Sequence, residues 1–477
     1  MKPIDYFREL CGIPHGSFHT EAISEFIYQF ALQRGLKCRK DESGNVVVFR
    51  PASDGRQKDA PMILQGHMDM VLEKESSLQM DMEKEPIILI EEDGWLHADR
   101  TTLGADDGIS AAIMMAILDD ESISAPALEC VFTVDEEVGL LGANALDMSD
   151  LKGRRLLNLD SEEEGVFTVG CAGGIDDIVS IPIKKKQLKG TVLDVRVNGL
   201  LGGHSGEMIG SGRANAVLLL ARALQYVYQA FEFNLLSIEG GSKSNAIPRE
   251  AQARLLFSSE ADPGLILKKM EEITAGLRKE YEVTDPGLQV TAEWENYKYI
   301  ENGIPAMTGK STRRILSFIN TAPSGVLEYM PVFDRLPQTS LNLGILKTEE
   351  NAVTALFMVR SSVNSQKDFV TEKLRLLTKA HKGSLICEGM YPAWQYRNES
   401  AFRELLVEAY TELTGKKPVV TATHGGLECG VFCGKLPELD CVSIGADMEN
   451  IHTPAERLSL ASFDRTWEFI LKILEKA

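Results

Sequence analysis

Apolar residues recur along this chain at two spacings, and the dominant spacing changes twice. Residues 19–35 predict an amphipathic helix: Ile23, Phe26, Ile27, Phe30 and Ala31 fall at helical intervals, and Gly35 ends it. Short apolar runs at 45–49 and 62–64 predict strands, and Asp93-Gly94 predicts a hairpin turn. Ser110 to Leu118 is apolar nearly all round, which predicts a buried helix. Leu128 to Val134 and Arg155 to Asp160 predict further strands. From Thr191 the pattern alternates, as in a half-buried antiparallel strand, and a long helix from about Arg213 to Val227 follows. The segment Ser244-Asn245-Ala246-Ile247-Pro248 before the strand at 253–259 is partly repeated by Ser340-Leu341-Asn342-Leu343-Gly344 before the strand at 353–362. This predicts an internal duplication: two α+β halves, each an antiparallel sheet with helices on one face. Near residue 391 the first pattern returns, with a helix at 400–414 closed by Gly415, strands at 418–423 and 440–445, and a last helix from Leu460 to Leu474. The expected plan is an α/β domain with a mostly parallel central sheet, residues 1–188 and 391–477, interrupted by an α+β domain over 189–390.

Composition narrows the class. At 477 residues the chain exceeds one ordinary core, and 44% hydrophobic with 25% charged residues is the balance of a globular protein. No apolar run reaches the ~18 residues of a membrane span, and the first residues lack the pattern of a signal peptide. The eight cysteines are scattered, which predicts reduced thiols. A net charge of −20 argues against nucleic acid. A cytoplasmic protein with neither a membrane nor a nucleic-acid partner is expected.

The candidate chemistry gathers where strands end. His67 and Asp69 follow the 62–64 run in Gly66-His67-Met68-Asp69. His67 is a candidate metal ligand that Asp69 could orient, although the pair alone also fits a turn with a solvated acid. Asp106 and Asp107 open the buried helix, where one carboxylate suits capping and two suggest a metal bridge. Asp135-Glu136-Glu137 ends the next strand and Asp160 ends the one after. Acids or imidazole thus recur at the carboxyl ends of strands, where open α/β sheets place their sites. Ligand type and number point to a metal centre.

The motifs Gly66-His67-Met68-Asp69, Gly104-Ala105-Asp106, Asp135-Glu136-Glu137, Asn158-Leu159-Asp160, Gly203-His204-Ser205 and Ile451-His452-Thr453-Pro454 stand in one order and spacing. Together they resemble the di-zinc metallopeptidase family of aminoacylases, carboxypeptidase G and several dipeptidases. Thr101-Thr102-Leu103-Gly104-Ala105-Asp106, Gly-Gly-His-Ser-Gly-Glu at 202–207 and Gly-Leu-Glu-Cys-Gly at 426–430 are most similar to its aminoacyl-histidine dipeptidase branch. The resemblance implies a zinc-exopeptidase-like catalytic domain with an inserted lid. It implies two zinc ions per chain, with manganese or cobalt as substitutes. His67 and Asp160 would bind one ion, Glu137 and His452 the other, and Asp106 would bridge both. Glu136 would be the general base, Asp69 would hold His67, and His204 would stabilise the oxyanion; a glycine-flanked surface turn is the plainer alternative for His204. Arg360 is the candidate clamp for a dipeptide carboxylate, since the matching strand of the first half carries Phe257. Asn245 and Gly426 are candidate substrate contacts. The implied reaction is hydrolysis of unblocked dipeptides, Xaa-His and broader. An N-acyl amino acid amidohydrolase would use the same metals, and a non-catalytic scaffold would have little use for Glu136. The expected partner is a small peptide, and the chain is expected to be a monomer or a homodimer.

Overall fold

Met62–His67, Leu128–Thr133, Arg155–Ser161 and Asp440–Gly445 are strands in the computed structural model, which describes residues 1–477 and all side chains except those of 296–298. They lie parallel in the order Leu128–Thr133, Met62–His67, Arg155–Ser161, Asp440–Gly445. Met62–His67 and Leu128–Thr133 are buried along their whole length, which is why they are mostly apolar rather than alternating. Val46–Arg50 and Lys37–Lys40 extend this sheet antiparallel on one side, and Val166–Thr168 and Val419–Thr421 complete its eight strands on the other. The Ala105–Asp119 helix packs against the sheet at Gly66. A Cβ on Gly66 would lie 1.8 Å from Ser110 Oγ, so the close approach of strand and helix requires glycine here.

A second, four-stranded sheet belongs to the same unit. The hairpin Leu89–Glu92/Trp95–Ala98 turns at Asp93-Gly94, both at positive φ, as the sequence predicts. It pairs with Arg457–Ser459, which pairs with Met448–Glu449. The connection between those last two strands carries His452 and Glu456.

The other unit is built on a nine-stranded sheet. Gln289–Met307, Lys185–Asn198, Ala251–Phe257 and Asn234–Gly240 form one run. Pro337–Thr348, Ala352–Ser361, Gly173–Pro182 and Ser384–Tyr391 form the other, with Gly325–Tyr329 beside Pro337–Thr348. All pairings are antiparallel, and the two runs join where Gly240 faces Leu346. The helices Ala216–Ala230, Pro263–Glu280, Gly309–Thr321 and Asn364–Ala380 supply Leu220, Ile266, Phe318 and Leu374 to one core with Val195, Leu255, Leu343 and Phe357 of the strands. The two expected halves are therefore parts of one sheet.

The first unit comprises Met1–Cys171, Ala393–Ala422 and Leu427–Ala477; the second comprises Ala172–Pro392 and Thr423–Gly426. This differs from the expected division at 188/189. Gly173–Pro182 pairs residue for residue with Ala352–Ser361 and so belongs to the inserted sheet. Asp176 and Asp177 break its apolar alternation, which hides that strand in the sequence. The return comes at 392/393, and Thr423–Gly426 joins the second unit, where His424 meets Ser340 at 2.7 Å. Both crossings leave the first unit at one place, since Cys171 and Trp394 bond each other's backbones at 2.9 and 3.2 Å. Among the described residues no helix is long and apolar enough to cross a membrane.

Candidate metal centre

The strand ends of the first unit bring its predicted ligands together. His67 Nε2 lies 3.3 Å from Asp106 Oδ1 and 3.7 Å from Asp160 Oδ1. His452 Nε2 lies 3.0 Å from Asp106 Oδ2 and 2.9 Å from Glu137 Oε1. These make two groups, His67–Asp106–Asp160 and Asp106–Glu137–His452, each with ligand atoms within 4.8 Å of one another and with Asp106 in common. A third group of the same size, His67–Glu136–Glu137, includes Glu136. Ser161 and Asp160 end one strand, Glu137 follows another, and Asp106 sits at the unwound start of the Ala105–Asp119 helix, with ψ of 104°. His452 lies in the hairpin connection with φ of 59°, a conformation that few non-glycine residues adopt.

Asp69 is placed differently from the simple orienting role. The nearer partner of His67 Nδ1 is the Asp69 backbone carbonyl at 2.9 Å, while its carboxylate stands at 3.4 Å. That carboxylate accepts hydrogen bonds from Ser17 Oγ at 2.8 Å and from the backbone N–H groups of Glu136 and Glu137 at 3.0 and 3.4 Å. Asp69 thus fixes the loop after the strand Leu128–Thr133 as well as the ring. Asp107, the second acid of the helix start, accepts from the His67 N–H at 3.1 Å.

The electrostatics are those of a dense cluster of buried acids around two imidazoles. Burial pushes the carboxyls of Glu136, Asp160 and Asp107 well above the usual range, and neighbouring acids add to it. Burial opposes the charge of Asp106 too, yet hydrogen bonds to His452 and His67 hold its carboxyl low. The same bonds, first to Asp106 and then to Glu137, push His452 up to about 11. For His67, burial works against protonation, but the bonds to Asp106 and Asp69 outweigh it and raise the ring. Among the described residues no Lys or Arg pairs with any of these acids. Buried carboxylates are costly without a compensating positive charge, and oxygen and imidazole donors at this spacing suit a divalent ion such as zinc.

Two buried acids here escape sequence reasoning. Glu428 is fully buried, and its Oε2 accepts from Gln65 Nε2 and Thr133 Oγ1, both at 2.5 Å. Gln65 in turn accepts from Asn158 at 2.8 Å. Gln65 and Asn158 stand two residues before His67 and Asp160 on their strands, so this network underlies the ligands. Glu456 accepts backbone N–H groups at the start of the Ala105–Asp119 helix. The only sequence signals are an acid ahead of the apolar Cys429–Phe432 run and an acid four residues after His452.

In the second unit, Arg360 is buried and its NH1 donates to Tyr391 Oη at 3.0 Å. Its NH2 lies 3.4 Å from His204 Nε2. Among the described residues its buried Nε has no hydrogen-bond partner, and the guanidinium has no ion pair. His424, which the sequence left unremarked, is pushed down to about 3 by burial and by the charge of Arg360, so it is neutral at pH 7. Asn245 is exposed, and its carbonyl accepts from the N–H of Ser205, next to His204. Gly426 lies against the Tyr391 ring, where a Cβ would approach to 2.9 Å. The neighbouring Gly425 gives its N–H to Thr423 Oγ1.

Residues 63–476 match the sequence pattern of Peptidase family M20/M25/M40. The chain is 34% identical over 478 residues to the cytosol non-specific dipeptidase of Escherichia coli (strain K12), covering 99% of this chain and 96% of that protein. Its fold is similar to the crystal structure of aminoacylhistidine dipeptidase from Vibrio alginolyticus, with a TM-score of 0.88, 32% identity and coverage of 99% and 96%. An aminopeptidase from Bacillus cereus shares the fold at a TM-score of 0.56 and 18% identity, over 100% and 98% of the two chains.

Proposed function

The chain belongs to Peptidase family M20/M25/M40 and is a peptide hydrolase, and from that premise we propose that it hydrolyses unblocked dipeptides, Xaa-His among them, with two zinc ions. The observation that carries this is the pair of His–carboxylate groups that share Asp106. His67 and Asp160 would hold one ion, Glu137 and His452 the other, and Asp106 both. When bound, the ions would activate water and polarise the scissile carbonyl.

The chain's own residues do the rest. Glu136 would take the proton of the attacking water on its carboxylate and return it to the leaving amine. Distance alone leaves Glu136 open to ligation, but the two groups joined by Asp106 are complete without it. Asp69 would keep Glu136 in place through the Glu136 N–H. Arg360 would pair with the substrate carboxylate: among the described residues its buried guanidinium has an unbonded Nε and no ion-pair partner, although its charge is felt by Asp176. His204, against Arg360, is proposed as the donor to the oxyanion. Asn245 and Gly426 are proposed as further substrate contacts.

A panel of dipeptides, their N-acetyl forms and longer peptides tests the reading on protein loaded in turn with zinc, manganese and cobalt. Free dipeptides should be cleaved fastest. Preference for the N-acetyl forms would make the chain an N-acyl amino acid amidohydrolase, and efficient cleavage of long peptides would remove Arg360 as a carboxylate clamp.

A further inference from the structure

The Ala105–Asp119 helix starts without a cap of its own. Gly104 precedes it in the left-handed region, no local side chain accepts its first N–H groups, and Asp106 and Asp107 depart from helical geometry. Four consecutive backbone donors would be orphaned in a buried place. Glu456 takes them all. Its Oε2 accepts from Leu103 and Gly104 at 2.8 and 3.2 Å, and its Oε1 accepts from Ala105 and Asp106 at 2.8 and 3.4 Å. Glu456 is 2% exposed.

The acid comes from the connection that holds His452. A bond from the Glu456 N–H to the Thr453 carbonyl at 3.0 Å ties it to the turn immediately after His452. Thr453 Oγ1 donates to the Asn450 carbonyl at 2.7 Å, and Asn450 and His452 both sit at positive φ. This short loop therefore meets Asp106 twice: at the carboxylate through His452, and at the backbone N–H through Glu456.

We propose that Glu456 is a positioning residue that locks the His452 loop onto the backbone around Asp106, and so sets the spacing of the two donors that a shared metal ion requires. The proposal rests on the two-metal reading above. A local cap comes from the residue before the helix, whereas this acceptor comes from the loop that carries His452 and so ties the two together.

The test is titration of the metal-free protein with zinc chloride, by calorimetry, for the parent, Glu456→Gln and Glu456→Asp, with thermal melts of the same metal-free samples. The glutamine replaces one acceptor by a donor that faces N–H groups; the aspartate keeps the charge but falls one methylene short. The parent should take up two equivalents. Both variants should melt cooperatively and bind at least one equivalent about tenfold or more weakly, the usual effect of losing a group that orients a ligand. Variants that melt earlier yet bind both equivalents as tightly as the parent would make Glu456 a structural cap and overturn the proposal. If the glutamine variant does not fold, the aspartate variant decides; if neither folds without metal, the proposal falls. A parent that binds fewer than two equivalents would remove the two-metal reading and this inference together.

Discussion

Glu136 stands beside a ligand candidate, yet the two groups joined through Asp106 do not need it. Glu136→Gln takes away a proton acceptor and leaves five donors in place. It should keep both zinc equivalents and lose turnover by about 10²–10⁴-fold, the usual share of a general base. Zinc content and turnover measured on one preparation check this, and lost zinc would make Glu136 a ligand instead. Glu428 lends itself to a pH test. Burial raises its carboxyl from 4.5 to about 7 in the metal-free protein. A group raised on folding adds stability below its unfolded pKa and loses that contribution as pH climbs through its folded pKa. The metal-free parent should therefore lose this contribution between 4.5 and about 7, and Glu428→Gln should not. Urea unfolding at about pH 5 and about pH 8 should show the variant gaining on the parent by up to roughly 3 kcal/mol at the higher pH. A difference that stays constant with pH would mean that Glu428 is not buried as an acid.

At the scale of elements, the centre depends on how closely one helix approaches one strand. Gly66→Ala would drive a Cβ to 2.4 Å from Ser110 Cβ and 2.5 Å from Asp107 Oδ2. The Ala105–Asp119 helix would have to withdraw, taking Asp106 away from His67. A loss of about 1–3 kcal/mol or more is expected in urea unfolding, with weaker zinc uptake in the same protein; unchanged stability and uptake would show that the helix has room to move. The strands that carry His67 and Asp160 are legible in the sequence because each has a short apolar run, Met62-Ile63-Leu64 or Leu156-Leu157, that leads to a polar group. The Asp93-Gly94 hairpin is legible because type I′ turns select those residues. Helix ends are less so: the helix expected from Arg213 starts at Ala216, because the Asn215 side chain accepts from Val217 and Leu218 N–H groups. Glu428 and Glu456 are invisible for a different reason. An acid in a glycine- or proline-containing loop reads as solvated, and only packing from distant elements buries it. The pairing of the hairpin at 89–98 with the hairpin that holds His452 is equally nonlocal, and no periodicity announces it.

At the scale of the molecule, the sequence shows an interrupted domain but misses how the interruption is bounded, since strand Gly173–Pro182 hides two acids in its alternation. Among the described residues, the second unit's buried core runs from Ile175 to Leu374, with Leu377, Leu385 and Cys387 packed against it. Residues 172–392 expressed alone should therefore fold, giving a single cooperative melt by circular dichroism, and should take up no zinc. A fragment without a cooperative melt would mean that Thr423–Gly426 and the His424–Ser340 contact are needed to complete that core. The interruption also has a consequence in time. A ribosome delivers His67, Asp106, Glu137 and Asp160 early, then builds the whole second unit, and only afterwards releases His452 and Glu456. With about 300 residues between Asp160 and His452, at roughly 5–20 residues per second the nascent chain spends some 15–60 s holding an open half-centre. On the two-metal reading, an ion captured in that interval would find His67, Asp106, Glu137 and Asp160 but not His452. The group that includes His452 would be completed only when the last hairpin emerges, so full metal loading would follow synthesis of the whole chain.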